Sequence, residues 1–452
     1  MNSKFPSVRD FEKWLDTYLN FEKHPQKNIF WLDTVRFFCS ILKNPEKSAK
    51  CVHIAGSKGK GSVSAFASSI LDAAGFKTGL YTSPHLLDFA ERVRSAHDFL
   101  SDDVYKKASL ELESAIRSVS DDELPGKRAI TWFELATLFS FLAFREYGAD
   151  WSVFEVGLGG RLDATNVISP EVCCITPLEL EHTEYLGDTI EKIAFEKCGI
   201  IKEGVPVVTS AQKDEALSVI RNIAKERHAP LIEVSKAAKI ESAFETTESG
   251  KPVMKARIES PLFARPLVAT LSLLGYEQAE NAALAAIAIK TACPCVTEEQ
   301  IERGLEAAFL PARFEVVHNV PKYSAIPYLV IDGAHTVNST KCLLSSLSAI
   351  EKVDEKKPHL LFALAADKDA EDIASLLSKE FDKITLTIPG GEKKADLPRA
   401  QEAFRKAGAK FSSGEDYERM IADSFCAANE EKAPLVVAGS FYLAAEVKKF
   451  IS

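Results

Sequence analysis

Seven consecutive residues, Gly56-Ser57-Lys58-Gly59-Lys60-Gly61-Ser62, set three glycines and two lysines between a β-prone run at 51–55 and a helical pattern starting at Ser62. Such a loop turns backbone N–H groups toward an anion, and the helix N-terminus that follows adds partial positive charge. Lys60 is placed to reach β- and γ-phosphates, so the expected chemistry is the binding of a nucleotide. The strict Walker A pattern asks for glycine where the chain has Ile54 and for Ser or Thr where it has Gly61. The strand-loop-helix context therefore carries the expectation, against the competing reading of a glycine-rich turn with a solvated lysine.

Three further positions attract notice. Glu155 closes a β-run just ahead of the glycine turn Gly157-Leu158-Gly159-Gly160. A carboxylate there needs a cation or a donor, and the carboxyl end of a parallel strand is where Mg²⁺ beside phosphates would sit. The alternative is a structural ion pair with Arg161. Lys197 shares an apolar stripe with Ile190, Ile193 and Ala194 and so points inward. It either snorkels, the commoner outcome, or is buried with a lowered pKa and becomes reactive. His182 follows the third strand, and only its spacing from Glu155 hints at a metal role.

The elements that have to position these residues read as alternating strands and helices. Strands are expected at 51–55, 151–156 and 172–175, a helix C-cap at Gly75, a helix at 278–290, and a capping box at Thr297 and Gln300. Beyond a linker near 308–316 a fresh alternation begins. Its strands lie at 328–331, 359–364, 383–388 and 434–438, and its helices at 338–350, 370–380, 397–407 and 441–450. The expected fold is α/β in two domains: residues 1–308, a P-loop-type ATPase domain with a parallel-rich sheet, and residues 309–452, a smaller Rossmann-like α/β domain. The stretch 243–260 is polar and reads as irregular.

Composition narrows the function classes. A chain of 452 residues with 46% apolar and 27% charged residues can bury a large core. Its net charge of −10, without basic blocks, argues against a nucleic-acid partner. Nine scattered cysteines suit reduced thiols rather than a disulfide framework. No apolar run is long enough to span a membrane, and Met1–Phe5 lacks the apolar stretch of a secretory signal, so the expected compartment is the cytoplasm.

Taken in order, these residues resemble the folylpolyglutamate and dihydrofolate synthase branch of the Mur ligase superfamily. The resemblance extends over most of the chain and includes Tyr81-Thr82-Ser83-Pro84-His85-Leu86, Glu91-Arg92, Glu155 to Asn166, and His182-Thr183-Glu184 to Lys197-Cys198-Gly199-Ile200. It continues with Leu274-Gly275, Gln278, Asn281, Pro311-Ala312-Arg313-Phe314-Glu315, Asp332-Gly333-Ala334-His335 and Gly439-Ser440. Departures are Ser57, Glu181, Glu277, Ala312 and Thr336-Val337.

The resemblance implies an ATP-dependent ligase that adds L-glutamate to a folate, and also to dihydropteroate if it is bifunctional, through an acyl phosphate. The alternatives are a Mur-type ligase for another amino acid and acceptor, or a noncatalytic nucleotide-binding relative. It further implies that Gly56 to Ser62, Asn281, Arg313 and Asp332 hold ATP, and that Ser83 and Glu155 hold one Mg²⁺ while His182 helps to hold a second. Lys197 would carry a CO₂-derived carbamate, His335 would face the terminal phosphate, and Ser440 would seat glutamate. The family is commonly monomeric.

Overall fold

The computed structural model describes residues 5, 7–20, 31–247, 252–350, 356–366, 368–390 and 394–452. Residues 1–4, part of the stretch from which the lack of a secretory signal was read, lie outside it, as do residues 248–251 of the polar segment 243–260. The chain divides into two compact units. One comprises Met1–Ser242, Lys255–Ser272 and Gln278–Phe309; the other comprises Ala243–Met254, Leu273–Glu277 and Leu310–Ser452.

In the first unit the strands are β1 (Lys50–Ala55), β2 (Thr78–Tyr81), β3 (Val93–Ser95), β4 (Trp151–Glu155), β5 (Val172–Ile175), β6 (Val207–Thr209) and β7 (Leu231–Glu233). Among the described residues they form one sheet in the order β3-β2-β4-β1-β5-β6-β7, parallel except where β3 runs against β2. β1, β4 and β5 are near-continuous apolar runs because helices cover both faces of a parallel sheet. The helix Trp132–Tyr147, which begins at a Thr131–Glu134 capping box, buries Trp132, Leu135, Phe139, Leu142 and Phe144 in one such layer. The helix Lys60–Ala73 leads from β1 to β2 on one side, whereas β5 pairs with β1 on the other. Where strand order diverges in this way, a crevice opens at the carboxyl ends of the strands. The glycine loop 56–62, Glu155 and Thr176 all leave the sheet at that edge, since Ile54 pairs with both Glu155 and Cys174.

The segment expected to be irregular is a pair of strands. β8 (Lys239–Thr246) and β9 (Pro252–Glu259) join β10 (Leu267–Leu271) in a three-stranded sheet. Met254, Ala256 and Ile258 alternate inward along β9, a period-two pattern diluted by Lys255, Arg257 and Glu259 on the other face.

The second unit carries β11 (Glu315–Val317), β12 (Leu329–Ile331), β13 (His359–Ala363), β14 (Lys383–Thr387), β15 (Phe411–Ser413) and β16 (Leu435–Ala438), in the order β11-β12-β16-β13-β14-β15. Among the described residues only β11 runs antiparallel to its neighbour. Helices Val337–Ile350, Ala370–Glu380, Leu397–Lys406 and Phe441–Ile451 fall within a residue of the expected ranges. Among the described residues no helix is long and apolar enough to cross a membrane.

Candidate active site

The loop after β1 is tied down from beneath. The amides of Ser57 and Lys58 both donate to the Pro177 carbonyl, at 3.0 and 3.2 Å. The Ser57 hydroxyl donates to the Glu179 carbonyl at 3.3 Å and accepts from the Glu179 amide at 3.0 Å. Two of the loop's amides are therefore already committed. The donors that face an anion are those of the first helical turn, Lys60, Gly61 and Ser62, which have no intrahelical carbonyl to bond. Gly59, in the left-handed region at φ 82°, forms the helix N-cap. Its α-carbon lies against Asn281: a Cβ there would meet the Asn281 side-chain oxygen at 2.5 Å. Asn281 is itself buried and held by Gln278 at 3.2 Å.

Three ammonium groups surround one carboxylate behind this loop. Lys197 is 2% exposed, so it does not snorkel. Its Nζ donates to the Gly56 carbonyl at 2.7 Å and to Glu181 at 3.1 Å. Lys60 Nζ donates to the same Gly56 carbonyl at 3.2 Å, and Lys58 lies 3.6 Å from the other oxygen of Glu181. Burial would raise the Glu181 pKa, but Lys197, Lys60 and Lys58 together hold it well below the usual carboxylate range. For Lys197, burial and then the Lys60 charge bring the ammonium down to about 8, against the opposing pull of Glu181.

Glu155, at the end of β4, is 5% exposed and accepts the Ser83 amide at 3.2 Å. The alternative pairing with Arg161 does not form, because Arg161 is bonded to Glu196 at 2.8 Å. The loop bearing Ser83 is knotted by Glu91, whose carboxylate accepts the amides of Leu86, Leu87 and Asp88 at 2.6, 2.8 and 3.0 Å. The amide contact holds Ser83 next to the buried Glu155 carboxylate; carboxylate and hydroxyl oxygens are hard donors of the kind Mg²⁺ takes, so the residue types at this point suit that ion. Among the described residues no group of three His, Cys, Asp or Glu side chains converges on one point. An ion at Glu155 would therefore keep water and phosphate oxygens in its shell, as Mg²⁺ usually does. His182 caps a short helix at φ 49°, and its electrostatic influence falls on Glu181.

A buried relay fixes the turn behind Glu155. Asp163 accepts the amides of Gly157 and Leu158 at 3.1 and 2.9 Å on one oxygen, and the Thr165 amide and hydroxyl at 3.0 and 2.5 Å on the other. The Thr165 hydroxyl also meets His53 Nε2 at 2.9 Å. Because that hydroxyl gives its one proton to Asp163, His53 donates through Nε2, leaving Nδ1 buried without a hydrogen-bond partner among the described residues. Burial, reinforced by the nearby Lys202 charge, keeps this imidazole neutral by lowering its pKa far below the ordinary value. Thr165→Val should lower the catalytic rate by roughly ten- to a hundredfold, in the range seen when a supporting hydrogen bond is lost. Thr165→Ser should restore most of it, and steady-state kinetics of both variants would check this.

In the second unit Phe441 gathers the expected residues. Arg313 stacks on its ring at 4.4 Å, the His335 ring meets it edge-on at 5.9 Å, and Ser440 caps its helix by accepting the Tyr442 amide at 3.1 Å. Asp332 accepts the amides of Phe314 and Ala334, both at 2.6 Å. Burial raises its pKa, and the Arg313 charge and those two amides oppose the rise. His335 Nδ1 lies 2.7 Å from the Gly333 carbonyl.

Residues 54–289 match the family model of the Mur ligase middle domain, and residues 312–441 that of the Mur ligase glutamate ligase domain. The dihydrofolate synthase/folylpolyglutamate synthase of Bacillus subtilis is 30% identical across 98% of this chain and 99% of its own. The chain belongs to the folylpolyglutamate and dihydrofolate synthase family of Mur ligases. It is an ATP-dependent ligase. The folylpolyglutamate synthase of Lacticaseibacillus casei is 31% identical over 90% of this chain and 91% of its own. The apo form of the L. casei enzyme superposes with a TM-score of 0.83 at 25% identity, covering 98% and 99% of the two chains. E. coli FolC, solved with DHPP and ADP, gives 0.81 at 26% identity over 100% and 99%.

In this member of the family the first unit brings together Gly56 to Ser62, Asn281, Lys197 and Glu181, and separately Ser83 with Glu155. Sequence reasoning passed over Glu181 as an ion-pair partner, Asp163 and Thr165 as supports, and Phe441 as the organiser of the second unit. Asp163 carried a usable signal for one of its bonds, since Asp commonly accepts the amide two residues on, here that of Thr165.

Proposed function

We propose that this ligase joins the amine of L-glutamate to a carboxylate of a folate, tetrahydrofolyl-glutamates and dihydropteroate being the candidate acceptors, in the cytoplasm and as a monomer. The supporting observation is the phosphate loop with a buried lysine–glutamate cluster on one flank and the Glu155 carboxylate at the same strand edge. The acceptor carboxylate attacks the γ-phosphorus of ATP and expels ADP, giving an acyl phosphate. The glutamate amine then attacks the acyl carbon, phosphate leaves, and the nitrogen gives up its proton. Both steps build negative charge on oxygen, which Lys60 and the first-turn amides of Lys60, Gly61 and Ser62 offset. Mg²⁺ on Ser83 and Glu155 would neutralise charge on the phosphate oxygens, and a second ion is assigned to His182. Arg313, Asp332 and His335 are assigned to the nucleotide and Ser440 to the incoming glutamate. The domain roles proposed are nucleotide handling by residues 1–308 and glutamate ligation by residues 309–452.

Lys197 is proposed to react with CO₂. Its unprotonated amine adds to the carbon and releases one proton, leaving a carbamate anion. With the pKa near 8, roughly a quarter of the amine is unprotonated at pH 7.5, against about a thousandth for an ordinary lysine. Reactivation of CO₂-depleted enzyme by bicarbonate should therefore climb as pH rises through about 8 and flatten above it. Stopped-time assays across pH 6.5–9 check this, and a flat profile contradicts it.

The reading is tested by incubating the protein with ATP, Mg²⁺, bicarbonate and L-glutamate, with dihydropteroate, with tetrahydrofolate, or with neither. A product heavier by one glutamyl unit is expected. ATP turnover without that product would reject folate ligation.

A further inference from the structure

Nothing in the ligase chemistry uses Cys293-Pro294-Cys295, yet the fold places their sulfurs 3.3 Å apart. The two thiols differ in access: Cys293 is 7% exposed, whereas Cys295 is exposed to solvent. Their backbone is anchored at both ends. The Cys293 amide continues the preceding helix by donating to the Ile289 carbonyl at 2.8 Å, and the Val296 amide turns back to the Cys293 carbonyl at 3.1 Å. Lys290 adds a third tether, donating to the Val296 carbonyl at 2.7 Å. The turn thus holds two sulfurs facing each other, and only about 1.3 Å separates them from the ~2.05 Å of a disulfide.

We propose that Cys293 and Cys295 form a dithiol–disulfide couple that exchanges with low-molecular-weight disulfides. The Cys295 thiolate attacks one sulfur of the small disulfide, and the first small thiolate leaves and takes up a proton. Cys293 then loses its proton and attacks the Cys295 sulfur, expelling the second small thiol. Two cysteine thiols are oxidised and one small disulfide is reduced to two thiols, so atoms and electrons balance. The order follows from access, since only Cys295 meets a reagent from solvent. Burial and the hydrogen bond to Cys295 raise the Cys293 pKa to about 11, which makes its thiol a slow direct reactant but one held against its target. A three-residue ring is tight, and exposed or strained disulfides are the readily reduced ones, so the couple should respond to redox conditions rather than serve as a permanent brace.

The test uses the full-length protein with oxidised glutathione, then alkylation of remaining thiols and peptide mass analysis. Both cysteines fall in the single tryptic peptide 291–303, between Lys290 and Arg303. The expected result is a peptide lighter by two hydrogens, unalkylated, and returned to the dithiol by dithiothreitol. Cys293→Ser should stop at a stable glutathione adduct on Cys295, and Cys295→Ser should stay reduced. A lasting adduct on the wild-type peptide, or a peptide fully alkylated after exposure to glutathione disulfide, overturns the proposal. Neither cysteine lies in the glycine loop 56–62 or is assigned a role in the ligation, so this outcome is independent of the acceptor found in the ligase assay.

Discussion

Lys197→Ala should depress glutamate ligation by about a hundredfold or more, the scale at which loss of a charge-stabilising group is felt in enzymes. The substitution removes the group bonded to the Gly56 carbonyl and to Glu181, and leaves a polar hollow beneath the loop. Small-molecule rescue separates the two roles open to this side chain. If the working form is the carbamate, formate or acetate added to Lys197→Ala should restore part of the rate and methylammonium should not. If the ammonium itself is the working form, the pattern reverses. A Lys197→Ala enzyme that keeps the wild-type rate, with urea unfolding unchanged, would remove Lys197 from the reaction.

The second large effect is expected at Gly56. With φ at 151°, a Cβ there would stand 1.8 Å from the Thr176 hydroxyl oxygen, 2.8 Å from its Cβ and 3.0 Å from its backbone nitrogen. The obstruction is the residue just past β5, whose amide donates to the Ala55 carbonyl at 2.9 Å and so cannot retreat without breaking that bond. Gly56→Ala should lift the loop off the Pro177 carbonyl and weaken ADP binding by roughly a hundredfold, about 2.8 kcal/mol, read by calorimetric titration. Thr176→Ala should bind ADP normally, since its buried hydroxyl has no hydrogen-bond partner among the described residues. Combining the two should recover only part of the affinity, because the 2.8 Å contact with Cβ persists.

How much of this was legible in the sequence depended on how locally each feature is encoded. The strand ending at Ala55, the helix begun by the glycine loop, the Thr297–Gln300 capping box and the alternating elements of the second unit all rest on short-range pattern, and they stand where expected. The strands Lys239–Thr246 and Pro252–Glu259 escaped because their outward face is charged and half of each strand therefore looks like loop. Lys197 shows the limit of general tendencies. A lysine on a helix's apolar stripe usually reaches water, but this helix is nine residues long and its last turn meets the Gly56 carbonyl, so its side chain has nowhere to emerge. The link between His53, Thr165 and Asp163 spans more than a hundred positions and depends on β1 lying beside β4 and β5. No window along the chain contains it.

The crowd of ammonium groups behind the phosphate loop bears on how long the protein persists. Lys58, Lys60 and, before it takes up CO₂, Lys197 share one carboxylate, Glu181, so the folded state without ligand or CO₂ holds mutually repelling cations that the unfolded chain would disperse. A polyphosphate settling on the loop relieves that repulsion only in the folded form, and a ligand selective for the folded state raises its stability with the logarithm of ligand concentration. Nucleotide supply would then govern abundance as well as turnover: molecules starved of ATP would unfold more often and be the first to meet the proteases of the cell.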